Sequence, residues 1–238
     1  MVYEYEFQDE KILYVTDTPD EMKQLIAQGQ EVIPLLNAQN SDCSFPSCNY
    51  AVSDIENIDI DYLYKIHQRL NNIPWTILST ENLTLREMLV SDVDSFYKIY
   101  KDPAVTEFME NLFEDPEDEK LYTRNYIKDI YPFYGYGLWT VLKKDTGEII
   151  GRAGLSNRDG FDAPELGFVI KKECRKQGYA FEICSAIIQY AKKELGFKEI
   201  QALVHPNNTS SINLLKKLGF EITHTLHQGY LIARRTLS

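Results

Sequence analysis

One stretch, ELGFVIKKECRKQGYA (Glu165–Ala180), constrains this chain more than any other. Glu165 to Ile170 reads as a strand. From Ala180 the apolar residues Ile183, Cys184, Ile187, Ile188, Ala191 and Leu195 follow the i, i+3, i+4 spacing of a helix with one buried face. Between strand and helix lies a short basic loop with the spacing Arg175-x-x-Gly178-x-Ala180. A helix start leaves about four backbone N–H groups without partners, and the macrodipole adds roughly half a positive charge there. Gly178 and Ala180 keep bulk away from those amides, while Arg175 and Lys176 put cations at the rim. Such a turn suits a diphosphate, and no metal is needed to hold it.

A second block, VHPNNTSSINLLKKLGF (Val204–Phe220), reads as a strand end, an Asn/Ser-rich helix start, an amphipathic helix and a stop at Gly219. Asn207 or Asn208 can cap this helix, and Ser211 falls near its third position. Together the two blocks resemble the GNAT superfamily of acetyl-CoA-dependent N-acetyltransferases. The first matches its Q/R-x-x-G-x-G/A pyrophosphate motif and the second its N-x-x-S…LGF segment. The resemblance extends over residues 81–238, and VTEFMEN (Val105–Asn111), GLWTV and GFVI look closest to the Rim-type branch of ribosomal-protein acetyltransferases. It implies an α/β (α+β) domain with a mixed central sheet and splayed core strands.

The resemblance also implies roles. Phe168, Val169 and Ile170 would hold the pantetheine arm of acetyl-CoA, and one backbone N–H of their strand would face the thioester carbonyl. The diphosphate would rest on the amides of Lys176, Gly178, Tyr179 and Ala180, with Arg175 alongside. Asn208 matches the helix-start Asn that hydrogen-bonds the pantetheine or an active-site water, and Ser211 lies on the same side. The acceptor is expected to be a primary amine, on a small molecule or at a protein N-terminus, attacking directly in a ternary complex. Such an amine is protonated near neutrality, so a base or a water relay is required. Glu165 is the catalytic candidate, because Rim-type relatives often carry a Glu at the start of this strand; a plain strand-end carboxylate would look the same in sequence. One departure stands out: Leu215 occupies the position where many GNAT enzymes place a Tyr as general acid. Tyr134, Tyr136 and Tyr179 are the substitutes at hand. His205, beside Pro206 at a strand end, reads as structural.

Composition narrows the partners. The net charge is −11, and residues 1–80 carry 13 acidic against 4 basic side chains while 81–238 carry 23 against 21. The acidity belongs to the front third and argues against nucleic-acid binding. No apolar run approaches the roughly 20 residues of a membrane span. The start, MVYEYEFQDEK, lacks a basic segment followed by an apolar one, so a cytoplasmic protein is expected. Cys43, Cys48, Cys174 and Cys184 show no metal-like spacing, and no metal is expected. A homodimer is an expected assembly.

Residues 1–80 have their own rhythm. KILYVTD, EVIPLL and YAVSD read as strands, and PDEMKQLIAQG and IDIDYLYKIHQRLNN as helices. The pattern predicts a small parallel α/β domain, Rossmann-like and loosely similar to haloacid-dehalogenase-like phosphatases. Pro19 stands where that phosphatase pattern wants a second Asp, and Asp17 and Asp54 fall at strand ends where open sheets place ligands. Residues 73–83 are expected to connect the halves. A non-catalytic acyl-CoA-binding or sensing module, with the front domain as its output, is the alternative to an enzyme.

Overall fold

The structure, a computed structural model, describes residues 1–7 and 11–237, with the backbone alone at 224 and 225. The chain separates into two compact units, Met1–Trp75 and Thr76–Ser238.

The front unit holds β1 (Val2–Glu6), β2 (Ile12–Thr16), α1 (Pro19–Ala27), β3 (Glu31–Pro34) and α2 (Ile60–Leu70). Its sheet has the order β1-β2-β3, with β2 and β3 parallel. β1 pairs antiparallel to β2 and had no place in the sequence reading. Its alternation explains it: Tyr3 and Tyr5 turn inward while Val2, Glu4 and Glu6 face solvent, a period-two pattern hidden inside an acidic segment. Tyr50–Asp54, expected as a strand, contributes one isolated bridge between Val52 and Leu35. Asp54 ends it, because its carboxylate accepts from the amides of Glu56 and Asn57 and folds the chain into a turn. The sheet is therefore mixed and short, and the described residues do not build a Rossmann-like layer. Leu13, Val15, Ile33, Leu63 and Ile66 form its core.

The back unit runs β4 (Thr76–Ser79), β5 (Leu83–Arg86), α3 (Val93–Tyr100), α4 (Pro103–Thr106), α5 (Pro116–Asn125), α6 (Tyr131–Tyr134), β6 (Leu138–Lys143), β7 (Ile149–Ser156), β8 (Glu165–Ile170), α7 (Tyr179–Lys193), β9 (Glu199–Val204), α8 (Thr209–Lys217), β10 (Glu221–His227) and β11 (Tyr230–Thr236). The stretch expected as a connector thus contains β4. One eight-stranded sheet has the order β10-β11-β9-β8-β7-β6-β5-β4. Every neighbouring pair is antiparallel except β8 and β9. α7 covers one face, where Trp139 of β6 meets Tyr190 edge-on at 5.8 Å. α3 covers the other, where the Arg152 guanidinium donates to the Tyr100 hydroxyl at 2.6 Å.

Local chemistry fixes this layout. Asp92, 3 % exposed, accepts from both terminal nitrogens of Arg86, from the Thr140 hydroxyl and from the Leu89 amide, which pins the start of α3 to β5 and β6. The Tyr-rich segment is structural too. Tyr126 lies in a π-turn between α5 and α6, and its hydroxyl accepts from the Leu138 amide. Burial pushes its phenol up to about 12. Tyr131, fully buried, accepts from the Met88 amide and donates to the Leu138 carbonyl at 2.5 Å.

Two glycines on neighbouring strands separate packing from openness. A Cβ on Gly151 of β7 would collide with the Val169 carbonyl of β8, whereas one on Gly167 of β8 would meet only the Leu138 side chain, at 3.5 Å. Urea unfolding is expected to show Gly151→Ala losing about 1–3 kcal/mol of stability. Gly167→Ala is expected to stay within about 1 kcal/mol of the parent. Equal losses at both positions would contradict this account of the β7–β8 spacing.

Candidate active site

The site begins with a broken ladder. β8 pairs with β7 over six residues, from Ser156↔Glu165 to Gly151↔Ile170. With β9 it shares one register pair, Glu165↔Gln201, sealed by the Gln201 amide donating to the Pro164 carbonyl at 2.9 Å. β9 meanwhile keeps six pairs with β11. Beyond Glu165 and Gln201 the two parallel strands therefore part.

The alternation of the strand decides which backbone groups face the gap. The Lys171 amide donates to the Ile150 carbonyl at 2.7 Å, so the odd-numbered residues of β8 point their backbone at β7 and the even-numbered ones point at the gap. Phe168 and Ile170 consequently present amide and carbonyl to the split. Val169 does not: its backbone lies in the β7 ladder opposite Arg152, and its side chain is buried. The Ile170 carbonyl already accepts from Arg175 Nε at 3.2 Å. Phe168 is thus the residue of this strand whose amide is best placed to meet a ligand lying in the gap.

At the end of β8 the chain turns through residues 171–178 into α7. Lys176 has φ 62° and Gly178 φ 86°, both in the left-handed region. This sequence of turns brings successive amides into one concavity, a form that binds anions. No side chain caps the helix at Gly178. Lys176 and Gly178, whose amides were expected to receive a diphosphate, lie in this turn, and Tyr179 and Ala180 open α7. Glycine at 178 serves conformation, since a Cβ would have open space but an unfavourable φ. Arg175 behaves differently from the expectation of a plain phosphate partner. Besides Ile170 it donates through Nη1 to the Ala104 carbonyl at 3.1 Å, so its guanidinium ties α4 to the end of β8. Lys172 adds an ion pair with Asp102 at 3.0 Å. Hydrogen bonding from the Ala104 amide, followed by that from Lys172, holds the Asp102 carboxyl below its usual range.

The segment 102–108 reaches the other arm of the split as well. Phe108 stacks on His205, one residue past β9, with centroids 5.1 Å apart and planes 24° from parallel. The Asn207 amide donates to His205 Nδ1 at 3.2 Å, which fixes the ring. His205 therefore joins this segment to the loop that leads into α8, a structural use consistent with the sequence reading.

Asn208 does cap α8. Its Oδ1 accepts from the Ser211 amide at 3.1 Å and from the Ser210 hydroxyl at 2.9 Å. The capping oxygen is consumed, so what Asn208 and Ser211 can offer a ligand is the Asn208 Nδ2 and the Ser211 hydroxyl. Leu215 is 1 % exposed and belongs to the core, which removes that position from any proton transfer. Of the three substitute tyrosines, Tyr136 donates its hydroxyl to Asn157 Oδ1 at 2.7 Å, Tyr179 packs near Lys143, and Tyr134 stands at the surface.

Register reveals an opening that residue types alone did not show. Arg152, Gly154 and Ser156 of β7, Glu165, Gly167 and Val169 of β8, and Gln201 and Leu203 of β9 share the α3 face. Gly154 and Gly167 lie opposite each other, but only Gly167 is partly exposed: a Cβ on Gly154 would strike the Gly137 carbonyl, so the side-chain-free opening on this face is at Gly167. Glu165 stands beside that opening on the same strand. Its Oε2 accepts from Arg158 Nη1 at 3.1 Å, and its side chain is 15 % exposed. Among the described residues no His, Cys, Asp and Glu side chains converge as a metal-binding group, and no described helix is long and apolar enough to cross a membrane.

Comparison with known proteins agrees with this geometry. Residues 82–221 match the model of the acetyltransferase (GNAT) domain. The uncharacterized N-acetyltransferase p20 of Bacillus licheniformis is 32 % identical over 148 residues, spanning 60 % of this chain and 82 % of the relative. The [ribosomal protein uS5]-alanine N-acetyltransferase of Escherichia coli K12 is 31 % identical over 160 residues, spanning 63 % of this chain and 81 % of its own. Among solved structures, the apo form of a ribosomal L7/L12 alpha-N-protein acetyltransferase superposes with a TM-score of 0.59 at 11 % identity, over 69 % of this chain and 94 % of that one. The same enzyme in complex with coenzyme A gives 0.53 at 13 % identity, over 68 % and 98 %.

Glu182, in the first turn of α7, was not singled out from the sequence. Its carboxylate accepts from the Thr80 hydroxyl at 2.6 Å and from the Asn82 amide and side chain at 2.8 and 3.0 Å, binding the β4–β5 hairpin to the helix that opens the cradle. Burial acts to raise its carboxyl, but the bonds from Thr80 and Asn82 together outweigh it and hold the group below the ordinary range. A depressed folded-state value stabilises the fold above the unfolded value near 4.5, and that contribution is lost as the pH falls through the folded value. Urea midpoints of the parent and Glu182→Gln are therefore expected to differ at pH 7 and to converge as the pH falls through the depressed Glu182 value. A gap that stays constant down to pH 3 would contradict the ionised anchor.

Proposed function

The chain belongs to the GNAT acetyltransferase family, and on that premise we propose that it moves an acetyl group from acetyl-CoA to a primary amine by direct attack in a ternary complex. The single observation that carries this reading is the split between β8 and β9 leading straight into the uncapped, left-handed turn at 176–178. The two together fit a co-substrate with an extended arm and a diphosphate. The amides of Lys176, Gly178, Tyr179 and Ala180 would receive the diphosphate. Phe168 and Ile170 would pair with the arm, and Asn208 Nδ2 would reach it from the far side of the gap.

In this reading the Phe168 N–H faces the thioester carbonyl and stabilises negative charge gathering on its oxygen. The amine enters over Gly167, the one partly exposed glycine on this face of β8. As its nitrogen bonds to the carbonyl carbon, the carbon–sulfur bond breaks and the amine proton leaves toward Glu165. A thiol has an ordinary pKa near 8.5, so the thiolate departs without an acid in place of Leu215. A protein acceptor is favoured by the similarity to the [ribosomal protein uS5]-alanine N-acetyltransferase of Escherichia coli, named for acting on an alanine of a ribosomal protein.

The test is release of free thiol from acetyl-CoA across short peptides with free N-termini, polyamines and aminoglycosides. Turnover is expected with one amine class, and Glu165→Gln is expected to lower kcat by about 10²–10⁴-fold. Asn208→Ala is expected to raise KM for acetyl-CoA and to cost about 1 kcal/mol of stability through its lost cap. Tight acetyl-CoA binding with no turnover on any amine would favour the sensing module instead.

A further inference from the structure

Gln201 is 1 % exposed on β9, and among the described residues no protein atom accepts a hydrogen bond from its Nε2. A buried amide donor without an acceptor is costly, so such a group calls for an explanation. The other buried orphans differ. Arg152 Nε belongs to a guanidinium lying over the rings of Phe96 and Tyr100, Trp139 meets Tyr190 edge-on, and Thr123 lies on α5. Gln201 alone stands on a strand of the split.

Its place in the register gives it a use. Glu165↔Gln201 is the single pair that β8 and β9 form, so the two side chains stand on one face of strands about 4.8 Å apart. Glu165 Oε2 is held by Arg158, while its Oε1 has no partner among the described residues. The open floor at Gly167 lies two residues along β8, about 6.6 Å away, beyond direct hydrogen-bond reach of a carboxylate's own position on the strand. With Oε2 held by Arg158, one water on Oε1 can bridge the carboxylate to an amine over Gly167.

We propose that Gln201 is a positioning residue of the proton path, holding a water between its Nε2 and Glu165 Oε1. The amine nitrogen passes its proton to the water oxygen, and the water passes one of its own to Glu165 Oε1. Gln201 Nε2 donates to the water throughout and fixes its orientation. This rests on the reading of Glu165 as base, and it adds the residue that couples the base to the acceptor.

Gln201→Met keeps the length of the side chain and removes the N–H. Because the lost bond runs to a water and not to a protein group, urea unfolding is expected to show at most a small loss of stability. KM for acetyl-CoA is expected to stay within about twofold, while kcat falls by about tenfold or more. In Glu165→Gln the same substitution is expected to cost nothing further, because both act on one path. An unchanged kcat, or a loss that multiplies with that of Glu165→Gln, would overturn the assignment. Absence of turnover in the parent enzyme would instead overturn the proposed function on which it rests.

Discussion

The parting of β8 and β9 is the constraint on which the rest of the back unit depends. A parallel pair inside a sheet ordinarily continues its ladder, since each unpaired amide or carbonyl loses a bond worth about 1 kcal/mol and more when buried. Here the ladder stops after Glu165↔Gln201, while both strands remain fully paired on their outer sides, to β7 and to β11. The gap is therefore flanked on both sides by intact ladders of the same sheet. What it leaves unpaired is a short row of backbone groups, above all those of Phe168, aimed into a space that an extended polar chain can fill.

Several residues near this gap serve the fold and the site with different atoms. Asn208 spends its oxygen on the first turn of α8 and keeps its nitrogen. Arg175 spends Nε and Nη1 on two carbonyls and so draws α4 to the end of β8. Glu182 anchors α7 from within its first turn by accepting from the β4–β5 hairpin. A helix whose amides are kept for a ligand cannot be capped there by a side chain, and its start must be secured elsewhere. Glu182 provides that security without covering Gly178.

Much of this was legible in the sequence because the chemistry was local. The turn at 175–180 and the helix at 208–217 are written in contiguous residues, and their glycine, capping and periodicity signals carry a mechanism each. What was not legible depended on register. The opening at Gly167, the orphaned amide of Gln201 and the withdrawal of Val169 from the gap all follow from which residues face one another across strands, and a one-residue shift would reverse them. In the front unit the alternation of VYEYE was masked by its charge, and Tyr50–Asp54 had strand-like composition but ended in an Asp-stabilised turn after one bridge. The anchoring of the Leu138 backbone by Tyr126 and Tyr131 likewise depends on contacts that the folded chain alone brings together.

The most direct measurement is backbone amide hydrogen exchange, residue by residue, with and without coenzyme A. The account requires new protection at Phe168 and at Gly178, Tyr179 and Ala180, with Val169 already protected in the free protein by its pairing to β7. Protection that appears elsewhere while Phe168 and the 178–180 amides exchange unchanged would contradict the claim that the split sheet and its turn form the binding site.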